Sequence, residues 1–576
     1  MGTKLLQMIL IAHPDKPFAL TAKGNIRRGE VLLAYASEIE AAYWSFSNAP
    51  NLRLHMEPGC GPQAEQAFVG EVVREVMGRD VIADKDLFQQ GCDSLQATRI
   101  RNILESSIRT RAASSDGLGL PQDVVYQYPT MSALSEAIAT WFHPKADPPV
   151  GGDIYNGEMK NMVLNFTAAL PPFNFGSANG AESHRLEDAV LITGTTGALG
   201  CHLLHVLAGL PYISRIYAFN RAPRDISAEV LFDRQWAAME SHGLDPSLLS
   251  TEKVVLLEAD LTINGWAIDR DLMNEIRQRV SVIIHTAWKV DFKCKLPSFA
   301  DCLAGLRALV DFALHGYIVK SVHSDTGLPL PSDVPDYSDL PQGEKLQEIA
   351  ITDPSMAAGL GYTESKWVGE RVLDAIAQER GLKMSIIRVG QLSGAENGRW
   401  KESEWFPTMV SSARLVECLP SMPGLVSWLP VSTAAKAIAD VLRCDCQARY
   451  LNLSHPNPTT FVTIAEPLAS ALAVLLVPYD EWLAWLRKLR DEADKNMNPE
   501  SAMKSSYSAR DLRILSLVDF FGETDAMNRY VRLKGNKVGM DQILACSSSL
   551  LSRKESVLGK VDVERGVHYW RSVGLV

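Results

Sequence analysis

Apolar positions change period along this chain. Between about Glu65 and Phe142 they recur every three or four residues: Phe68, Val72, Val73 and Val76 share one face, as do Ile100, Ile103, Leu104 and Ile108, with a loop from Asp84 to Gln90 between the runs. That spacing predicts amphipathic helices and a small helical bundle over 62–143. After Leu186 the runs become short and strand-like: Ala189 to Thr193, Arg215 to Phe219, Val254 to Leu257, Val280 to Ile284 and Met384 to Val389, separated by helical stretches such as Leu199 to Leu210 and Leu303 to Leu314. Strands alternating with helices predict an α/β domain with a parallel, doubly wound sheet over 186–576.

One beat of the alternation is weak. After Leu314 the next strand should be buried, but His315 to Ser324 is short on apolar residues and is followed by Gly327-Leu328-Pro329-Leu330-Pro331. A lost or divergent fifth strand, or a fault in the gene model across 315–345, is therefore expected. Pro148-Pro149, Gly151-Gly152 and Pro171-Pro172 break the pattern earlier, so 144–185 reads as a flexible linker.

Composition adds limits. At 576 residues the chain is long enough for several cores, and 46% hydrophobic with 22% charged residues is ordinary for globular protein. The net charge of −11 argues against nucleic acid as a partner. Nine cysteines without a CxxC pair read as reduced thiols of a cytoplasmic protein. Leu5 to Ile11 and Ala469 to Val477 are too short to span a bilayer, so no membrane association is expected.

Three motifs carry chemistry. In Gly91-Cys92-Asp93-Ser94-Leu95, Ser94 starts a predicted helix, where a phosphodiester would meet the positive end of the helix dipole. The plain alternative is that Asp93 or Ser94 is only an N-cap. In Thr193-Gly194-Thr195-Thr196-Gly197-Ala198-Leu199-Gly200, a GxxGxxG turn follows a strand and opens a helix, the arrangement by which backbone approaches a pyrophosphate in Rossmann-type folds. The acid expected after the second strand is replaced by Asn220-Arg221, and an Arg there favours a 2'-phosphate, hence NADP(H) over NAD. In Gly361-Tyr362-Thr363-Glu364-Ser365-Lys366, Tyr362 and Lys366 share a helix face. A phenol with a neighbouring ammonium suits proton donation to a carbonyl oxygen under reduction.

Resemblance sharpens each motif. Asp86 to Ala97 resembles the signature of acyl and peptidyl carrier domains, which implies that Ser94 bears 4'-phosphopantetheine installed by a phosphopantetheinyl transferase. Phe18 to Arg28, with Lys23 beside a glycine, resembles the end of the C-terminal subdomain of adenylate-forming enzymes, so 1–50 is expected to be a remnant of one and a separate adenylating enzyme to load the arm. Asp260-Leu261 resembles the adenine-contacting position of extended short-chain dehydrogenases. His285-Thr286-Ala287-Trp288-Lys289 and Arg388-Val389-Gly390-Gln391 resemble loops beside the nicotinamide in thioester reductases.

Residues 186–576 as a whole resemble the thioester reductase domain of fungal nonribosomal-peptide-synthetase-like reductases, related to aminoadipate and carboxylic acid reductases. The resemblance implies NADPH-dependent release of a carrier-bound acyl or aminoacyl thioester as an aldehyde or alcohol, with Tyr362 and Lys366 catalytic and, together with Gly194, Thr196, Gly197, Gly200, Arg221, Asp260, Leu261 and Ala287, at the cofactor. It also implies a hydroxyl at the end of the fifth strand, for which Ser321 and Ser324 are the candidates. Val431-Ser432 stands where the family usually has an acid. The alternatives are a non-catalytic carrier fragment of a decayed synthetase and an epimerase-like dehydrogenase acting on a free substrate.

Overall fold

The computed structural model describes residues 16–18, 31, 34, 35, 38, 62–111, 120, 124–142, 152–171, 188–222, 230–291, 294–315, 321–325, 347–357, 359–444, 449–495, 514, 515, 518, 521, 538–553 and 558–576, with Ser94 and 321–325 among those described by backbone alone. Lys23 and most of 1–50 lie outside them. The chain divides into two units, one of Met1–Val150, Phe292–Ser298 and Arg487–Val518, the other of the remaining residues.

Within the first unit, α1 (Pro62–Met77), α2 (Ser94–Arg111), α3 (Val124–Gln127) and α4 (Met131–Phe142) form the expected bundle. Val69, Val72 and Val73 of α1, Ile100 and Leu104 of α2, and Leu134 and Ile138 of α4 are buried. Their helical spacing places them on one face of each helix, and burying that face holds the bundle together.

In the second unit a seven-stranded sheet comprises β1 (Asp188–Thr193), β2 (Ile213–Asn220), β3 (Val254–Glu258), β4 (Val280–His285), β5 (Ser321–Asp325), β6 (Met384–Val389) and β7 (Tyr450–Leu453). Its spatial order is β7-β6-β5-β4-β1-β2-β3, with every neighbouring pair parallel. The order reverses between β1 and β4, where such a sheet opens a ligand crevice at its C-terminal edge. One face is covered by α6 (Ala198–Gly209) and α11 (Val431–Val441), whose Leu203, Leu204, Ala434 and Ile438 share a core with Val190, Ile192, Ile216 and Ile284. Across the sheet, Phe219 meets Trp266, which meets Phe312 of α9 (Ala300–His315), and α9 packs on α10 (Gly361–Arg380).

Three expectations are corrected. The fifth strand is present: β5 pairs with β4 through Ser321 to Ser324 and with β6 through Val322 to Asp325. Pairing on both edges makes a strand of a segment with weak apolar content, a case of tertiary context overriding local pattern. The linker contains a helix, α5 (Gly152–Thr167), whose Met159 is fully buried and which packs on α10. Arg307 of α9 donates to the carbonyls of Phe166 in the last turn of α5 and of Ala168 and Ala169 just beyond it, satisfying groups a helix end leaves open. The cysteines are not all reduced: Cys444 and Cys546 are disulfide-bonded with Cα atoms 5.3 Å apart. Sequence spacing could not show this, because the fold brings together residues 102 positions apart.

Candidate active site

The turn after β1 demands glycine for steric reasons. Gly194 has φ of 76°, and a Cβ there would lie 3.0 Å from the Ala287 backbone. A Cβ on Gly200 would sit 2.2 Å from the Gly194 carbonyl oxygen, so α6 starts against the turn with no room for a side chain. Gly197 is the N-cap of α6 and has no side chain to satisfy the first N–H groups. Thr196, Gly197 and Ala198 are exposed, which suits an anion at this helix start.

Polar side chains fix the turn from behind. Asn220, at the end of β2, accepts the Thr196 N–H on Oδ1 at 3.2 Å and donates through Nδ2 to Thr195 Oγ1 at 2.6 Å. Thr195 in turn donates to Gln235 Oε1 at 2.7 Å, and Gln235 Nε2 donates back to the Thr195 carbonyl at 2.9 Å. Asn220 is thus engaged with the turn, where a ribose-binding acid was expected, and the neighbouring Arg221 is exposed. Asp260, just past β3, accepts the Thr262 N–H at 3.0 Å and its hydroxyl at 2.6 Å, and Leu261 packs where Gly305 of α9 leaves space.

The β4 side of the crevice is organised by Thr193. Its Oγ1 accepts the N–H groups of Thr286 and Ala287, both at 3.2 Å, and lies 2.8 Å from His285 Nδ1. With two donors already pointing at that oxygen, its own hydrogen is assigned to Nδ1, which leaves the His285 proton on Nε2. Burial, reinforced by the Lys366 charge, lowers the His285 pKa to about 3, so the ring is neutral at physiological pH. No described group accepts from Nε2.

Tyr362 and Lys366 stand one turn apart at the start of α10. Lys366 is buried and Tyr362 partly exposed, with the ammonium 5.7 Å from the phenol ring centre. Phe299 meets the Tyr362 ring edge-on, their centroids 6.2 Å apart. In backbone register, Ser324 aligns with His285 at the C-terminal end of the sheet, and Ser321 aligns with Val282 toward the other end.

The carrier motif has its own geometry. Asp93 Oδ1 accepts the Gln96 N–H at 2.7 Å and Gln96 Oε1 accepts the Asp93 N–H at 3.1 Å, a reciprocal capping box. Asp93 is therefore the cap, and Ser94 is the first residue of α2. Asp86 Oδ1 shapes the preceding loop by accepting from the Phe88 and Gln89 N–H groups at 2.7 and 3.0 Å.

The structure thus brings Gly194, Thr196, Gly197 and Gly200 into one turn with Ala287, from the loop after β4, packed against it, and places Arg221, Asp260 and Leu261 past the ends of β2 and β3. Sequence reasoning missed Thr193, Thr195 and Gln235. A polar residue ending an apolar strand was a usable signal for Thr193; Gln235, fully buried on α7 (Leu231–Ser241), gave none.

A sheet of this order, with a glycine turn at its switch point and a Tyr/Lys pair on the helix before β6, defines a nicotinamide-nucleotide-binding oxidoreductase fold of the extended short-chain-dehydrogenase type. The Male sterility protein family of NAD-binding domains matches residues 192–438, the phosphopantetheine attachment site family 67–138 and the AMP-binding enzyme C-terminal domain 5–47. The chain is 37% identical over 574 residues to the adenylate-forming reductase Nps10 of Heterobasidion annosum, an alignment covering 99% of this chain and 51% of that protein. Among solved structures, a thiolation-reductase di-domain from an archaeal non-ribosomal peptide synthetase covers 90% of this chain and 99% of its own, at TM-score 0.56 and 16% identity. The terminal R domain of the myxalamid pathway covers 74% and 99%, at 0.55 and 20%.

Over nearly its whole length the chain is similar to fungal proteins named adenylate-forming reductases. It spans about half the length of the curated relatives it matches. Among the described residues no helix is long and apolar enough to cross a membrane.

Proposed function

We propose that this protein is an NADPH-dependent thioester reductase that releases an acyl group from a phosphopantetheine arm on Ser94 as an aldehyde. The observation that carries this reading is the Tyr362/Lys366 pair at the crevice of a nucleotide-binding sheet, in a chain that also has a capped attachment helix opening at Ser94. A phosphopantetheinyl transferase would install the arm and an adenylating activity would load it.

The residues present fit both groups. Gly194 to Gly200 and the exposed start of α6 would receive the pyrophosphate, Arg221 the 2'-phosphate, and Asp260 and Leu261 the adenine side. Bound NADPH supplies the hydride. Tyr362 donates its proton to the carbonyl oxygen as charge develops there, and the C–S bond to the arm then breaks, that proton leaving with the sulfur as the arm's free thiol while the carbonyl re-forms as the aldehyde. Lys366 stabilises the phenolate left behind and reaches the ribose hydroxyls. By backbone register Ser324, near the C-terminal end of β5, is the candidate position for the carbonyl-orienting hydroxyl in preference to Ser321.

The test is Tyr362→Phe in full-length, phosphopantetheinylated protein with an acyl-loaded arm. NADPH oxidation should fall by about 10²-fold or more, the scale of a lost proton donor. Turnover equal to the parent protein would overturn the assignment.

A further inference from the structure

We infer that Trp288 is a positioning residue that holds the Lys366 ammonium in place with its indole face. The inference rests on the reading of Lys366 as a cofactor-contacting cation. Trp288 lies three residues past the end of β4, yet its ring touches α10 at three points. Its Nε1 donates to Ser365 Oγ at 3.2 Å. The Lys366 Nζ lies 4.5 Å from the ring centre. The far edge of the ring lies 3.3 Å from where a Cβ on Gly369 would be, so the missing side chain at 369 lets the ring lie close to the helix. Positions 365, 366 and 369 are contiguous on a helix surface, so the indole lies along α10 over the lysine.

The ring is itself fixed. Ser365 Oγ donates to the Tyr362 carbonyl at 2.7 Å and accepts the indole N–H with a lone pair, which sets the rotation of the ring about its stem. His285 meets the ring at a steep angle, with centroids 6.1 Å apart.

Why an aromatic face serves here follows from the burial of Lys366, which is 3% exposed. A cation taken from water needs compensation. An indole face attracts the cation through its quadrupole without taking up an N–H donor. Trp288 therefore acts through Lys366, and its removal should matter only while that charge is present.

A double-mutant cycle on the full-length chain tests this, with NADPH affinity read by fluorescence titration rather than by turnover. Lys366→Met should weaken NADPH binding. Trp288→Leu should weaken it about five- to tenfold, the range of a partly desolvated cation–π contact, with Trp288→Phe retaining most of the affinity. In the Lys366→Met background Trp288→Leu should have no further effect. Equal losses in both backgrounds, or Phe failing as badly as Leu, would overturn the proposal. If Lys366→Met itself leaves NADPH affinity untouched, the reading of Lys366 falls and carries this one with it. Fluorinated tryptophans at 288 preserve shape should Trp288→Leu not fold; affinity falling stepwise with each added fluorine supports the contact, and unchanged affinity sinks it.

Discussion

At the scale of single residues, the choice of cofactor turns on the end of β2. Many nucleotide-binding sheets place an acid there to take the ribose hydroxyls; here Asn220 faces back into the turn and Arg221 is left exposed beside it. Arg234 of α7 supports the arginine backbone: it donates to the Arg221 carbonyl at 3.3 and 3.4 Å and pairs at 3.3 Å with Glu258 at the end of β3. Arg221→Ala should therefore raise the NADPH dissociation constant about 10- to 100-fold, the scale of a charge-assisted hydrogen bond, with NADH affinity nearly unchanged. Parallel titrations with the two nucleotides decide it. Equal loss for both would show that Arg221 does not discriminate by the 2'-phosphate.

At the scale of elements, α10 matters because it carries Tyr362 and Lys366, and its attachment to the sheet is ionic as well as apolar. Two turns beyond Tyr362, Glu370 makes a bidentate pair with Arg388 of β6, at 2.9 and 2.8 Å, with both side chains almost wholly out of solvent. Tyr450 of β7 covers the guanidinium, its ring centre 4.9 Å away. A pair so buried is costly to break from one side. Glu370→Ala should cost about 3–5 kcal/mol of stability by chemical denaturation, and Glu370→Leu with Arg388→Met should recover most of it. A double variant no more stable than the single would show that the charges are not paired in energy. None of this was legible in sequence, where Arg388 read only as part of a loop motif, because ion-pair partners on different elements leave no periodic trace. The same reason hid the support of α5 by Arg307 and the contact of Gln235 with Thr195. The strands with continuous apolar runs were legible, as was the glycine turn, because there local pattern and final environment agree. β5 was only weakly legible because its strand character comes from β4 and β6 and little from Ser-Val-His-Ser-Asp itself.

At the scale of the whole molecule, the question is whether the reductase unit depends on the arm its own chain carries. The N-terminus of α2 separates the two roles that a single serine there could play: Asp93 and Gln96 close the helix end between them, and Ser94 is left as the next residue. Ser94→Ala should therefore leave the bundle folded, since the cap is untouched and alanine is a good helix former. NADPH affinity should stay within about twofold, because the substitution lies outside the cofactor crevice. Intact mass should no longer rise on treatment with a phosphopantetheinyl transferase, and acyl-dependent NADPH oxidation should be lost. A dehydrogenase acting on free substrates would keep its turnover in the Ser94→Ala protein, and a decayed reductase would show no NADPH-dependent rise in melting temperature in either form. Loss of turnover together with retained NADPH binding in Ser94→Ala is the one combination that the thioester-reductase reading requires and both alternatives exclude.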